Sequence, residues 1–142
     1  MAGLRSLTPP AVAAWAAYWG WLDVHNSFLG FIATAPARYL FLAAAIGELI
    51  ADKVPSAPDR TTPVGLVTRI VTGAFTAIAL SLTLRQSLVA AALLGALGAV
   101  VGAFAGYEVR RRLVQKSKLP DFVVAIVEDA LAIAGSLFLA VR

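Results

Sequence analysis

The sequence predicts an all-α protein, a polytopic transmembrane bundle of four to five helices. Hydrophobic residues make up 60% of the 142 residues and charged residues only 14%, against about 45–50% and about 25% in soluble domains. A soluble protein of this size has too little interior to bury so much apolar surface. Long uncharged runs also alternate with short polar segments along the whole chain. Both observations indicate a single integral-membrane domain over residues 1–142.

The first apolar segment is interrupted. The 14 residues of Pro9–Leu22 carry no charge, but a crossing helix needs about 20 residues. The polar patch Asp23–Ser27 follows, and Phe28–Ala37 is apolar again. We therefore expect either one long or broken helix that spans the membrane, or a re-entrant segment held against protein.

The remaining runs are more regular. The run that ends at Glu48 and Asp52 is short for a full crossing, whereas Val64–Leu84, Gln86–Tyr107 and Phe122–Val141 are long enough. These runs are rich in Ala and Leu and lack the period-two alternation of transmembrane strands. The sequence therefore predicts helices throughout, joined by short loops.

Basic residues predict the orientation of the chain. Arg110, Arg111, Arg112, Lys116 and Lys118 lie close together after Tyr107, so the positive-inside rule places a loop over Glu108–Pro120 in the cytoplasm. If the first segment crosses, five spans result and the N-terminus is inside. If it re-enters, four spans result and the N-terminus is outside.

Several functional classes find no support in the residues. The net charge of +4 is concentrated near one predicted loop rather than on a broad face, so we expect no nucleic-acid partner. There is no cysteine, only one histidine, and no zinc, nucleophile-elbow or phosphate-loop motif. We therefore expect no enzyme, no catalytic residue and no cofactor, with a bound cation as the one possible exception.

One predicted helix carries a face of small residues. Gly95, Gly98, Gly102 and Gly106 recur every three or four residues and so share that face. Small residues at this spacing let a second helix approach closely, as in a glycine zipper. We expect these glycines to serve helix packing, and we expect a homo-oligomer.

Acidic residues inside predicted spans are the strongest functional signal, because an ionisable residue within a membrane is costly and usually functional. Two basic residues near them are candidate counter-charges. The candidate cation- or proton-binding residues are Glu48, Asp52, Glu128 and Asp129, and the candidate counter-charges are Arg69 and Lys53.

Four short motifs resemble a bacterial family catalogued as domain of unknown function 4126. They are Gly3-Leu4-Arg5-Ser6-Leu7-Thr8-Pro9, Gly47-Glu48-Leu49-Ile50-Ala51-Asp52-Lys53-Val54-Pro55, Gly106-Tyr107 with Arg110-Arg111-Arg112-Leu113, and Glu128-Asp129-Ala130. The resemblance covers nearly the whole chain. It implies a small multi-pass protein of the bacterial cytoplasmic (inner) membrane, and it implies no activity.

A second, local resemblance concerns the acidic residues. The segment from Glu48 to Lys53 is similar to the Glu-x-Gly-Asp-Lys/Arg-Ser/Thr motif of small cation/proton exchangers, but it has one inserted residue, lacks the glycine, and has Val54 in place of the hydroxyl residue. Two hypotheses follow. The protein is a transporter or channel with an intramembrane acidic site for a cation or protons. Alternatively, it is a structural or lipid-interacting scaffold whose charges form internal salt bridges.

Overall fold

The described part of the structure, a computed structural model, comprises residues 2–51, 62–117 and 121–141, with the backbone alone for 114–117, 121 and 122. Five α-helices and one short 3-10 helix account for most of these residues, and the described chain contains no strand. The all-α prediction is thus confirmed. The helices are α1 (Thr8–Tyr18), α2 (Ala35–Ala51), α3 (Pro63–Thr83), α4 (Leu88–Ser117) and α5 (Asp121–Val141), with the 3-10 helix at Gly30–Ala33.

Three of the helices, α3, α4 and α5, are long and apolar enough to cross a membrane. Many of their large apolar side chains are exposed, which would be unfavourable in water: Val64 is 80% exposed and Val89 is 70% exposed. Lipid is the surrounding solvent that makes such exposure favourable. The chain is therefore an integral membrane protein.

Helices α1 and α2 are shorter, as the interrupted apolar run predicted. The 11 residues of α1 extend about 16 Å, and the 17 residues of α2 about 25 Å. Between them the chain turns at Gly20, whose φ of +77° is a left-handed conformation that glycine adopts without strain. The first segment is therefore a broken one.

Helix α1 occupies the centre of the bundle. Eight of its 11 residues are buried, and most of these are alanines. It contacts α2, α3 and α5, and an apolar helix with few charged side chains is suited to such an interior position. The small side chains allow three neighbours to approach α1 at once.

The directions of the helices follow from contacts at their ends. Ser6, just before α1, contacts Glu48 near the end of α2, so α1 and α2 are antiparallel. Arg5 contacts Asp129 near the start of α5, so α1 and α5 run in the same direction. The backbone amide of Asp23, after α1, donates to Thr83 at the end of α3. Successive helices therefore alternate in direction.

The basic segment after Tyr107 corrects one prediction. We expected a loop over Glu108–Pro120, but α4 remains helical through Ser117. The physical reason is local. Arg, Lys, Gln and Leu all favour helices, and Glu108 accepts from Arg112 Nε at 2.7 Å, one turn later, a pairing that supports a helix. Loss of apolar character ended the predicted span, but it did not end the helix.

The glycine face of α4 is used within the chain. A Cβ added to Gly95 would collide with the carbonyl oxygen of Gly73 on α3, and one added to Gly102 would lie 3.1 Å from the Cα of Gly3. Gly98, between them, has open space around its missing side chain. Gly106 is buried. The structure thus gives Gly95 and Gly102 packing partners within one molecule, and the homo-oligomer stays a prediction.

Candidate charged site

The charged site lies where the starts of α1 and α5 meet the ends of α2 and α4. It consists of Arg5, Glu48, Arg110, Glu128 and Asp129. Asp129 lies eight residues after the start of α5, which is about 12 Å along the helix axis. The site is therefore below the membrane surface if α5 begins at that surface.

An ion pair between Arg5 and Asp129 forms the centre of the site. The side chain of Arg5 has no exposed surface, and that of Asp129 is 15% exposed. Arg5 Nε donates to Asp129 Oδ1 at 2.6 Å, and Arg5 Nη2 contacts the same oxygen. Two contacts to one carboxylate, with so little access for water, make this a buried, charge-assisted interaction. It connects the segment before α1 with α5.

Glu48 caps the start of α1 from a different helix. The Leu7 amide donates to Glu48 Oε2 at 2.8 Å. The Ser6 amide donates to Glu48 Oε1 at 2.7 Å, and the Ser6 hydroxyl donates to the same oxygen. Pro9 and Pro10 lie in the first turn and have no N–H of their own, so few amides there need an acceptor. A carboxylate also interacts favourably with the positive end of the helix dipole.

Glu128 and Arg110 connect α5 with the end of α4. Glu128 is 8% exposed, and its Oε2 lies 3.6 Å from Arg110 Nη1. Arg69, on α3, is also buried, and its Nη1 donates to the carbonyl of Gly65 at 3.0 Å. Burial of these groups is tolerated because each has polar partners within the protein.

The predicted site residues are thus brought together in part. Glu48 and Asp129 contact adjacent residues, Ser6 and Arg5, so the segment before α1 lies between the two carboxylates. Asp52 and Lys53 lie outside the described residues. In the described chain, no three His, Asp or Glu side chains form a group that could hold a metal ion.

Sequence reasoning missed Arg5 as the partner of Asp129. The two residues are 124 positions apart, and helical periodicity gives no information across such a separation. Arg5 precedes the first apolar run, where a basic residue is usually interpreted as a topology signal. The burial of the neighbouring segment, which includes Gly3 against α4, was equally invisible in the sequence.

Another buried cation lies at the opposite end of α1 from the charged site. Arg38, on α2, is 9% exposed, and its guanidinium carbon lies 3.4 Å from the ring centroid of Tyr18. The corresponding distances to Trp15 and Tyr39 are 5.2 Å and 4.9 Å. Cation–π attraction to three rings holds α1 and α2 together here.

An apolar cavity of about 210 Å³ lies apart from the charged site. It is lined by residues of α1, α3, α4 and α5. The lining residues include Thr76, Leu80, Leu94, Gly98, Ser136 and Leu139.

Comparison with known proteins agrees with the sequence motifs. The family model described as Domain of unknown function (DUF4126) matches residues 1–141. No match was found among curated proteins or among solved structures. Because the family model covers all but the last residue, the chain belongs to the DUF4126 family.

Proposed function

We propose that this protein is a structural, lipid-interacting membrane protein whose intramembrane charges hold its helices together. One observation carries the proposal. Each described carboxylate of the charged site is bound by a different part of the chain: Glu48 by the start of α1, Asp129 by Arg5, and Glu128 by Arg110. These contacts are the expected signature of internal pairing rather than of a hydrated binding site.

The energy of buried ion pairs also favours a role in holding the helices together, which we call the fastening role. Breaking a buried ion pair by removing one partner costs about 3–5 kcal/mol, because a buried charge is left uncompensated. In lipid the helices gain little from the hydrophobic effect when they associate, so polar contacts and close packing decide their arrangement. The contacts of Arg5 and Glu48 fix the segment before α1 against α5 and α2.

The protein is proposed to lie in the bacterial cytoplasmic membrane, with the charged site toward the cytoplasm. The support is the basic character of residues 110–118, which favours retention on that side. A homo-oligomer is part of the proposal, since a small scaffold with wide apolar faces gains further packing by association.

A thermal unfolding scan of the purified protein in detergent tests the proposal. The scan compares the wild type with Glu48→Gln and Glu128→Gln across Mg²⁺, Ca²⁺, Mn²⁺ and Na⁺. We expect lower midpoints for both variants and no cation-specific shift. A ligand at 100 times its dissociation constant would stabilise by about 2.7 kcal/mol. A cation-specific rise of the wild-type midpoint, lost in either variant, would contradict the scaffold and indicate a cation site.

One observation favours a second candidate, transport of a cation or protons. The partners described for Glu48 are all uncharged, Ser6 and Leu7, and Glu48 itself lies near the end of α2. Transporters coordinate Na⁺ or H⁺ at the C-terminal ends of short membrane helices. In this function Glu48, Asp52, Glu128 and Asp129 would exchange a cation or proton, and Arg69 and Lys53 would balance the charge.

Flux into liposomes distinguishes the second candidate. The protein is reconstituted with a pH-sensitive dye inside, and a pH or cation gradient is applied. Transport predicts proton or cation flux that Glu48→Gln abolishes, whereas Glu108→Gln, at the exposed pair with Arg112, leaves it unchanged. Flux equal to that of protein-free liposomes would refute transport.

A further inference from the structure

We propose that the apolar cavity binds one acyl chain of a phospholipid whose phosphate lies at Arg85. This inference rests on the lipid-interacting part of the proposed function and names the ligand. It does not depend on the charged site.

The cavity is open toward lipid. Leu94 on α4 is 69% exposed and Leu139 on α5 is 48% exposed, although both line the cavity. Helix α4 lies along α3 but contacts α5 at few places, so a gap separates α4 from α5 beside the cavity. Both helices are of membrane-spanning length. Acyl chains are therefore the molecules that surround this opening.

Water is a poor occupant of the cavity. The hydroxyls of Thr76 and Ser136 line it, but each donates within its own helix, to Thr72 O at 2.8 Å and to Ala132 O at 2.7 Å. The other lining side chains are apolar. A buried water needs two to four polar partners. The cavity offers too few donors and acceptors to hold a cluster of water molecules.

The size of the cavity suits a segment of hydrocarbon chain. Its volume of about 210 Å³ exceeds the roughly 150 Å³ of an apolar cavity that stays dry and binds benzene. Gly98 leaves one wall without a side chain, since no atom lies within 4 Å of the Cβ position. A flexible methylene chain can enter through the gap and fill this space.

A cation stands near the cavity at the level expected for a phosphate. Arg85 lies in the turn between α3 and α4, with a φ of +52°, and the turn is exposed. Leu80, which lines the cavity, is three residues before the end of α3 at Thr83, or about 4.5 Å along the helix axis, and Arg85 follows two residues after that end. Since the turn joins two helices of membrane-spanning length, Arg85 is placed at headgroup level, where it complements an anionic phosphate.

Two helical glycines provide a matched pair of variants. Gly98→Leu fills the cavity, and Gly47→Leu places the same side chain on α2, at a glycine that also has no atom within 4 Å. The proteins are reconstituted in phosphatidylglycerol nanodiscs, released into detergent, and weighed intact by native mass spectrometry. We expect one retained lipid on the wild type and on Gly47→Leu, and none on Gly98→Leu.

Added single-chain lipids distinguish the chain from the headgroup. Palmitoyl lysophosphatidylglycerol should raise the unfolding midpoint of the wild type more than palmitate does. Arg85→Gln should respond to the two compounds equally, and Gly98→Leu to neither. Gly98→Ala, which adds one methyl group in open space, should give an intermediate response and serves if Gly98→Leu does not fold.

Several results would overturn the inference. Equal lipid retention by Gly98→Leu and Gly47→Leu, or none by the wild type, would exclude an acyl chain in the cavity. A wild-type dimer that becomes a monomer in Gly98→Leu, without bound lipid, would show a second copy as the occupant. If palmitoyl lysophosphatidylglycerol raised the unfolding midpoint of Arg85→Gln more than palmitate does, as in the wild type, the phosphate assignment would be refuted. A failure of this kind would leave the proposed fastening role of the charged site intact if Asp129→Asn is still destabilising.

Discussion

Substituting Asp129 by Asn tests the charged site most directly. The change keeps the shape of the side chain but removes its charge, and the guanidinium of Arg5 then remains wholly buried without that counter-ion. Loss of one partner of a buried ion pair costs about 3–5 kcal/mol. Asp129 keeps 15% exposure, which lets water compensate in part, so we expect the lower limit of about 3 kcal/mol.

A double substitution separates the energy of the ion pair itself from the cost of leaving one charge buried and unpaired. Arg5→Met with Asp129→Leu replaces both groups by apolar side chains, and replacements of this kind are often neutral or stabilising by about 1–4 kcal/mol. We therefore expect the double variant to be more stable than Asp129→Asn alone. Comparison with the single variants Arg5→Met and Asp129→Leu then gives the coupling energy between the two sites, which we expect to be large.

The assay is unfolding in a mixed detergent titration, with the free energy of unfolding extracted for each variant. The control is Glu108→Gln, which breaks an exposed ion pair with Arg112 on α4 and should have little effect, because exposed pairs contribute little. If Asp129→Asn and Glu108→Gln destabilise equally, the Arg5–Asp129 pair does not hold the bundle together and the proposed fastening role is wrong.

Two further predictions concern packing and capping. Gly95→Ala should destabilise the protein by about 1–3 kcal/mol, because its Cβ would meet the carbonyl of Gly73. In the same unfolding titration, Gly98→Ala should not destabilise. Equal effects of the two substitutions would contradict the described α3–α4 contact. Glu48→Ala should cost about 0.5–2 kcal/mol as a lost helix cap and should speed hydrogen exchange of the Leu7 amide. Glu48→Gln should exchange this amide more slowly than Glu48→Ala does. Unchanged Leu7 exchange in Glu48→Ala would show that the cap is not formed.

The sequence predicted the features that depend on local pattern. Apolar run length marked the three long helices, and the interrupted run before Arg38 predicted the break between α1 and α2. These predictions succeeded because the length of an apolar run is a property of one segment at a time. Glycine spacing predicted a packing face on α4; Gly95 lies against Gly73 of α3, and the glycine zipper stays a prediction.

Features that depend on distant parts of the chain could not be predicted. Arg5 looked like a topology signal, but its meaning depends on Asp129 in the last helix. The extent of α4 was also misjudged, because hydropathy reports where lipid ends and helix propensity decides where the helix ends. The role of Glu48 as a cap depends on how α2 lies beside α1, which no spacing within α2 reveals.

The separation of Arg5 from its partner has a consequence for biogenesis. The chain is synthesised from its N-terminal side, and the carboxylate that pairs with Arg5 lies 124 residues later, in α5. Until α5 arrives, the segment before α1 lacks its final neighbours on that side. The segment before α1 is therefore synthesised ahead of α2, α3 and α4 but reaches its native environment only when α5 is inserted, so the arrival of α5 settles two distant parts of the chain at once.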